Sequence, residues 1–369
     1  MTYKPGRMGL SEGAALVFII SIPWVFLSLP ATDIDIAASL AWLMPVLSGT
    51  GVLGSMYILI RVMNYVPGDL FEVSRSLLGS IGAYMVALVC LAAFSLDAFV
   101  LLRQYAENTL LTALPQIEFG IAIFLYAAVA GVLAYIGVEG LARSGYILAP
   151  FAIIALILVW LLVSPTFNYN NLFPLFGKGL DAIIPAGLML SGANAGVLGV
   201  AVLAPALHRP STVWLSTLYG LAGSTFIKAV SVLSFTLVFS YSAGREKLLP
   251  FFEMARLIYL SRYIQRVEAV FILLWVILGI LAIALNLYMA LYIITRIFNM
   301  PSPRPIIPLA VFTLAQTAMI PSDVGDIIAL NIFLIKYFKT IVILGIPLVL
   351  FIAFIFKQKK GKKKLWSAG

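Results

Sequence analysis

The sequence is short of the residues from which disulfides and metal sites are built. Its 369 residues include one cysteine and one histidine. Cys90 lies in an apolar run, which excludes a disulfide framework and a thiolate metal site. His208 stands beside Arg209 and Pro210 in a predicted short loop, where a solvated cap is expected rather than a metal ligand or a base. We therefore predict no metal site and no cofactor.

Charged residues are also scarce. They form 11% of the chain, against about a quarter in soluble domains, while hydrophobic residues form 62% and the mean hydropathy is +1.07. This composition excludes a soluble protein and indicates an all-α polytopic membrane protein. The sequence has no Gly-rich phosphate loop followed by lysine and serine, no paired histidines, and no nucleophile beside a base in its predicted loops, so an enzyme is not expected.

Ten apolar stretches are close to the length of about 20 residues that a bilayer core requires. Their expected limits are 13–30, 38–60, 81–102, 119–137, 146–164, 183–205, 215–240, 268–295, 306–320 and 337–356. Basic residues in the loops favour cytoplasmic termini, although the loop 241–267 carries several on the opposite side. No signal peptide is expected at the start. The basic run in 357–369 is expected to be a cytoplasmic tail, either contacting anionic lipid or simply solvated.

The stretch Ile183–Leu207 is apolar but is interrupted by Ser191, Gly192 and Asn194. One interpretation is close packing, in which small residues let a neighbouring helix approach. The other is a broken helix, because non-helical backbone at membrane depth is tolerated only where it faces protein or a water-filled cavity, and transporters bind substrates at such breaks. Both interpretations are open on this stretch alone.

A second interruption, at Ser21 and Pro23, stands at the centre of the first span. Ten spans divide into two five-helix halves, 13–164 and 183–356, and the interruptions fall in the first span of each half. This match favours broken helices and a site between inverted repeats. The expected ligand-binding residues are Ser21, Ile22, Pro23, Ser191, Gly192, Ala193 and Asn194. Neither span contains lysine or arginine, so we expect free backbone amides to hold a ligand carboxylate, and Asn194 suits a neutral polar or zwitterionic ligand.

Among the charged residues inside predicted spans, Asp97 in the third and Lys228 in the seventh lie farthest from the span limits. Each costs about 2.5 to 3.5 kcal/mol at the bilayer centre, which makes both candidates for proton or ion coupling. Lys228 is too far from either end of its span for its side chain to reach water along the helix. Asp97 is nearer the outer boundary, where interfacial water is an alternative. A direct pairing of the two residues is only a guess at this stage.

The loop Pro250–Arg266 combines charge with apolar residues. Pro250 suits the first turn of a short helix, and Glu253 is spaced to pair with Arg256. We expect a lid or a partner-docking element here, with Arg266 contributing to docking. An interfacial helix without a partner is the alternative.

Five stretches resemble the spore germination permease family, the B-type subunits of germinant receptors, within the amino acid, polyamine and organocation transporter superfamily. They are YVPGDLFEVSRSLLG at 65–79, LLRQYAENTL at 101–110, YIGVEGLARSGYI at 135–147, NLFPLF at 171–176 and LLPFFEMARLIYLSRYIQRVEAVFILLW at 248–275. The last resembles the family's loop and its entry into span eight, carried by Pro250, Glu253, Arg256, Arg266, Glu268 and Trp275. The chain departs from the family at Ser21, where a glycine is expected, and near Asn194, where an acidic residue often stands.

This resemblance implies ten helices in two inverted five-helix repeats and the sensing of a small nutrient, typically an amino acid, in the spore inner membrane. It also implies two partners, an A-type membrane subunit and a C-type lipoprotein of the same receptor. Three functions follow as hypotheses: a receptor subunit that binds a nutrient, an autonomous proton- or sodium-coupled amino acid transporter, and a structural membrane partner with a vestigial pocket.

Overall fold

A computed structural model describes residues 6–66, 68–207, 209–258 and 268–366, and within these ranges the chain forms helices and no strand. The α-helices, numbered along the chain, are α1 Leu10–Ser21, α2 Leu29–Ala37, α3 Leu43–Tyr65, α4 Leu70–Thr112, α5 Phe119–Ile136, α6 Val138–Val163, α7 Leu180–Met189, α8 Gly199–Val202, α9 Ala204–Leu207, α10 Pro210–Val238, α11 Tyr241–Gly244, α12 Pro250–Ala255, α13 Glu268–Ile297, α14 Ile307–Ala318, α15 Val324–Phe333 and α16 Ile346–Trp366.

Eight helical segments in the described part of the chain are long and apolar enough to cross a bilayer. A ninth is the bent pair Leu10–Phe26 and Leu29–Leu40, in which the helix axis bends by 68°. The remaining predicted span is α14, which at 12 residues is shorter than the length that crosses a bilayer alone. The all-α polytopic fold is confirmed, and ten helices are compatible with this count.

Several helices extend beyond the predicted apolar limits because capped polar turns continue them. The α4 helix begins at Leu70 rather than at 81, and the carboxylate of Asp69 accepts hydrogen bonds from the first-turn amides of Phe71 and Glu72. The last span begins at Val324 rather than at 337. Asp323 caps this start, because its carboxylate accepts a hydrogen bond from the amide of Asp326 in the first turn of α15. At the other end, α16 runs to Trp366, so the predicted basic tail begins inside a helix.

The second predicted break lies at the centre of the bundle. Buried residues make up 72% of the most apolar window in both Leu180–Val202 and Phe271–Ile297, but only 22% in Val138–Thr166. The peripheral α6 helix exposes large apolar side chains such as Phe151 and Leu161, as a surface facing lipid requires. Irregular backbone between α7 and α8 is therefore surrounded by protein, the condition under which a membrane tolerates it.

Candidate ligand site between two broken helices

The first break follows directly from Pro23. The α1 helix ends at Ser21, residues Ile22–Phe26 form a 3₁₀ turn, and the chain bends before α2 begins. Proline lacks an amide hydrogen and crowds the preceding turn, so the α-helical ladder cannot continue through it. The hydroxyl of Tyr105 on α4 donates to the carbonyl of Pro23 at 3.4 Å. The structure thus confirms a broken first helix at the predicted place.

The second break spans Ser191–Leu198, which is 3₁₀ rather than α-helical, with Asn194 at non-helical dihedral angles of φ −109° and ψ 18°. Partners on other helices take up some of the polar groups that the α-helical ladder leaves there. The amide of Gly192 donates to the hydroxyl of Thr340 at 2.8 Å, and the hydroxyl of Ser191 donates to the carbonyl of Ser48 at 3.4 Å. The predicted broken sixth span is confirmed.

The glycines of this stretch also support close packing, so the two interpretations hold together. A Cβ added at Gly192 would meet the carbonyl oxygen of Ile335 and the amide nitrogen of Thr340. Added at Gly196 or Gly199, it would meet the side chains of Ile20 and Met289. Small residues therefore let the broken segment approach α1, α13 and the last span, while the absence of α-helical bonding leaves its polar groups to outside partners.

Lys228 reaches the second break from α10. Its side chain is 4% exposed, and its ammonium donates to the amide oxygen of Asn194 at 2.7 Å. The amide nitrogen of Asn194 lies 3.5 Å from the hydroxyl of Ser48 on α3, at the limit of a hydrogen bond. Asn194 in the second break is thus oriented by a lysine from α10.

A small cavity of about 20 Å³ lies between the two breaks, with room for a water molecule. The residues around it come from the first break, α2, α3, the start of the second break and α10. Its polar lining side chains are those of Asp33, Ser48 and Lys228, and its apolar lining includes Trp24 and Ala193. Asp33 is 3% exposed, so a carboxylate and an ammonium face one small cavity.

A second buried cluster surrounds Lys339, in the π-helical stretch Leu334–Lys339. Its ammonium donates to the carboxylate of Asp97 at 2.5 Å and lies 3.3 Å from the side-chain oxygen of Asn331. The same ammonium stands 4.7 Å from the centre of the Trp24 ring. The last span is thereby linked to α4 and to the first break by one charged group.

These contacts test the hypothesis that Asp97 pairs directly with Lys228. Asp97 pairs with Lys339, whereas Lys228 bonds Asn194, so no direct pairing joins the two. Interfacial water is also the wrong environment for Asp97, which is 3% exposed inside a 43-residue helix. Lys339 lies near the start of the predicted span 337–356. It is fully buried, because the helix begins thirteen residues before that limit.

The predicted loop helix forms α12, with Pro250 in its first turn as expected. Glu253 lies 3.7 Å from Lys247 rather than pairing with Arg256, whose guanidinium instead stands 5.7 Å from the Phe252 ring. Arg266 lies outside the described residues, as does His208.

The apolar side of α12 covers the first break. Phe251 is buried, with its ring 5.8 Å from that of Phe26 and 4.8 Å from that of Phe271 on α13. Offset and edge-on aromatic contacts of this kind add to the stability that burial provides. A position over the break suits a lid, while the docking role stays a prediction.

The predicted ligand residues do not all reach the cavity. Ala193 lines it, and Asn194 touches it through Lys228. Ser21 is buried, and its hydroxyl has no hydrogen-bond partner within the described chain. The first break contributes Trp24 and Val25 to the lining instead of Ser21, Ile22 and Pro23. The Gly192 amide, expected to be free for a ligand, is occupied by Thr340.

Sequence reasoning missed Asp33 and Lys339. Asp33 lies in 31–37, a stretch placed between two spans because its two aspartates lower the local hydropathy. Lys339 was placed at the edge of a span. A signal for its burial was present, since Asp323 is a helix-capping residue type with an acidic residue three positions later, which indicates a helix starting near 324.

A comparison with known families assigns the chain to one of them. The model of a family described as "Spore germination protein" matches residues 10–327. The chain belongs to this spore germination protein family. No curated protein matches the sequence at a significant level.

Solved structures with a similar fold include membrane transporters. A Na⁺-coupled sialic acid symporter in a substrate-bound outward-open state has a TM-score of 0.64 at 12% identity, covering 94% of this chain and 79% of that one. Mhp1 in an inward-facing conformation has a TM-score of 0.59 at 13% identity, covering 93% and 78%. A manganese transporter of Eremococcus coleocola has a TM-score of 0.58 at 12% identity, covering 94% and 76%. At these identities the likeness concerns the fold, and this family member is a permease-like integral membrane protein.

Proposed function

We propose that the protein is the B-type membrane subunit of a spore germinant receptor, which binds a small nutrient between its two broken helices and contributes to triggering germination. The observation that carries the proposal is the meeting of the two breaks around the cavity beside Asn194 and Lys228. An amino acid is the favoured nutrient, because the enclosed site presents groups of both charge signs and an amide. The proposed location is the spore inner membrane, with both termini in the cytoplasm.

The proposed partners are an A-type membrane subunit and a C-type lipoprotein of the same receptor. The α12 helix is the proposed contact or lid, since it covers the first break with Phe251 and leaves Arg256 exposed. Charge reversal at Arg256 should weaken co-purification of the partner subunits. Unchanged assembly after this reversal would remove the docking role and leave the lid.

The test of the receptor proposal is a ligand screen on the complex of the full-length chain with its partner subunits. A nutrient that binds the folded state at one hundred times its Kd stabilises that state by about 2.7 kcal/mol, which is measured as a rise in unfolding temperature. Asn194→Ala should weaken the binding, because Asn194 holds Lys228 at the cavity. If this variant does not change the affinity of a nutrient that does bind, the site lies elsewhere; if no nutrient binds the complex, the sensing role is wrong.

A second candidate function is an autonomous amino acid transporter coupled to protons or sodium. It is favoured by the fold shared with solved transporters and by Asp97 and Lys228, which are the proposed coupling residues. Uptake of labelled amino acids by the protein alone in liposomes separates the two functions. Saturable, gradient-driven flux supports the transporter, whereas binding without flux supports the receptor.

A further inference from the structure

The carboxylate of Asp33 has an unusual environment for a buried charge. It lines the cavity from α2 and is 3% exposed, yet it makes no hydrogen bond and no ion pair with any described residue. A buried charge is costly unless it is paired and hydrogen-bonded. A neighbouring aspartate on the same helix, Asp35, is exposed and meets no such cost. The carboxyl group of Asp33 is therefore open to a partner that reaches it through the cavity.

Lys228 faces the same cavity from the opposite wall with unused donors. A lysine ammonium has three N–H donors, and within the described residues Lys228 makes one hydrogen bond, to Asn194 at 2.7 Å. Asp33 and Lys228 are not within 4.0 Å of each other, the limit at which an ion pair is counted. The two charges are held apart by the cavity instead of neutralising each other in contact.

We propose that Asp33 binds the ammonium group and Lys228 binds the carboxylate of one small zwitterionic amino acid. This inference rests on the proposed function and replaces the backbone amides expected from the sequence with two charged side chains. A zwitterion supplies both missing partners at once. A ligand with a single charge would pair with one wall and leave the other charge buried without a partner, which is the expensive arrangement.

The rest of the lining restricts the ligand side chain. Trp24, Met44, Leu190, Ala193 and Val232 are apolar, and Ser48 is the remaining polar side chain. The enclosed volume of about 20 Å³ is too small for an amino acid, so the described state is closed and α2 must move outward to admit one. The α2 helix has nine residues and follows the bend, which makes it the movable wall. A short aliphatic side chain fits these limits.

The test is a binding measurement on the full-length chain in lipid nanodiscs with its partner subunits. The probes are glycine, alanine and valine, together with ethylamine and propionate, which are alanine analogues that lack one charged group each. The variants are Asp33→Asn and Lys228→Met. The controls are Asp35→Asn on the same helix and Lys178→Met, both at exposed positions.

The wild-type complex should bind at least one amino acid and should bind neither single-charge analogue with comparable affinity. Each site variant should lose at least ten-fold in amino acid affinity, and the controls should not change it. Asp33→Asn should reduce the preference for alanine over propionate, and Lys228→Met the preference for alanine over ethylamine. A purely structural role for these residues would not produce this crossed pattern.

Three outcomes overturn the inference. Unchanged affinity in both site variants places recognition elsewhere while the proposed function stands. Equal losses for all probes, without the crossed pattern, assign the residues a structural role. If the wild-type complex binds no amino acid, the inference and the proposed function fall together. Should a neutral variant not fold, Asp33→Glu and Lys228→Arg keep the charges, and their affinities should stay measurable but reduced.

Discussion

Two lysines, Lys339 and Lys228, are buried beside the two broken helices. They differ in how fully their ammonium groups are paired with protein groups. Lys339 is surrounded by the carboxylate of Asp97, the amide oxygen of Asn331 and the ring of Trp24. Lys228 has the amide oxygen of Asn194 and a cavity. Both are almost completely inaccessible to solvent, so the difference lies in their partners and not in their burial.

This difference separates a structural joint from a binding position. A charge whose partners are all supplied by the protein holds helices together, since moving any partner exposes an unpaired charge. Lys339 has this role between α4, the last span and the first break. A charge with unused donors beside a cavity is available to a ligand, and Lys228 stands in this position. Lys339 therefore stabilises the helix packing on one side of the two breaks, while Lys228 on the other side has donors free for a ligand.

Removing the carboxylate of Asp97 should have the largest effect on this comparison. Asp97→Ala leaves Lys339 buried without its counter-charge, and we expect a loss of about 3–5 kcal/mol in the free energy of unfolding. The measurement is thermal and denaturant unfolding of the purified protein in detergent. The double variant Asp97→Leu with Lys339→Met removes both charges and should recover most of the loss. If Asp97→Ala lowers the free energy of unfolding by less than about 1 kcal/mol, the ion pair of Lys339 is not a structural joint and Lys339 does not differ from Lys228 in this respect.

Adding a methyl group at Gly192 tests how closely the second break packs against the backbone around Lys339. Gly192→Ala places a Cβ against the carbonyl of Ile335 and the amide of Thr340, which flank the Lys339 turn. We expect a destabilisation of about 1–3 kcal/mol, measured by the same unfolding assay. Gly54→Ala is the matched control, because a Cβ there meets nothing within 4 Å. If Gly192→Ala and Gly54→Ala had equal free energies of unfolding, the neighbours of Gly192 would have room for the added methyl group.

The hydroxyl of Thr340 should contribute less. Thr340→Val keeps the shape of the side chain but removes the acceptor for the Gly192 amide and a donor to the carbonyl of Met189. The expected loss is about 1 kcal/mol, read from the unfolding midpoint. Thr313→Val is the control, since that hydroxyl is exposed and bonds within its own helix. No difference between them would argue that water replaces the bond in the variant.

Neutralising Asp33 should have the smallest effect on stability. Asp33→Asn leaves no described hydrogen-bond partner unsatisfied, so the free energy of unfolding should stay within about 1 kcal/mol of wild type. The direct comparison is Asp97→Asn in the same assay, which should cost clearly more. If the two asparagine variants were equally unstable, Asp33 would be a structural charge like Asp97 and the comparison would collapse.

The breaks could be predicted from the sequence, but their partners could not. Pro23 stops an α-helix wherever it stands in a span, and the cluster at Ser191, Gly192 and Asn194 weakens one locally. The ion pair of Asp97 with Lys339 joins residues 242 positions apart. Hydropathy windows contain no information about contacts between residues so far apart in the sequence. The hypothesis that Asp97 pairs with Lys228 therefore named the wrong lysine.

The sequence by itself determined the membrane class, the helical content and the places where two helices break. These properties depend on local physics, because a bilayer penalises each exposed charge and each unpaired backbone group where it occurs. Only the tertiary structure decided which buried charge is satisfied and which faces a cavity. That outcome depends on how each helix is rotated against its neighbours. Lys336 and Lys339 illustrate it, since they are three residues apart on one helix, yet only Lys339 points to Asp97 and is fully buried.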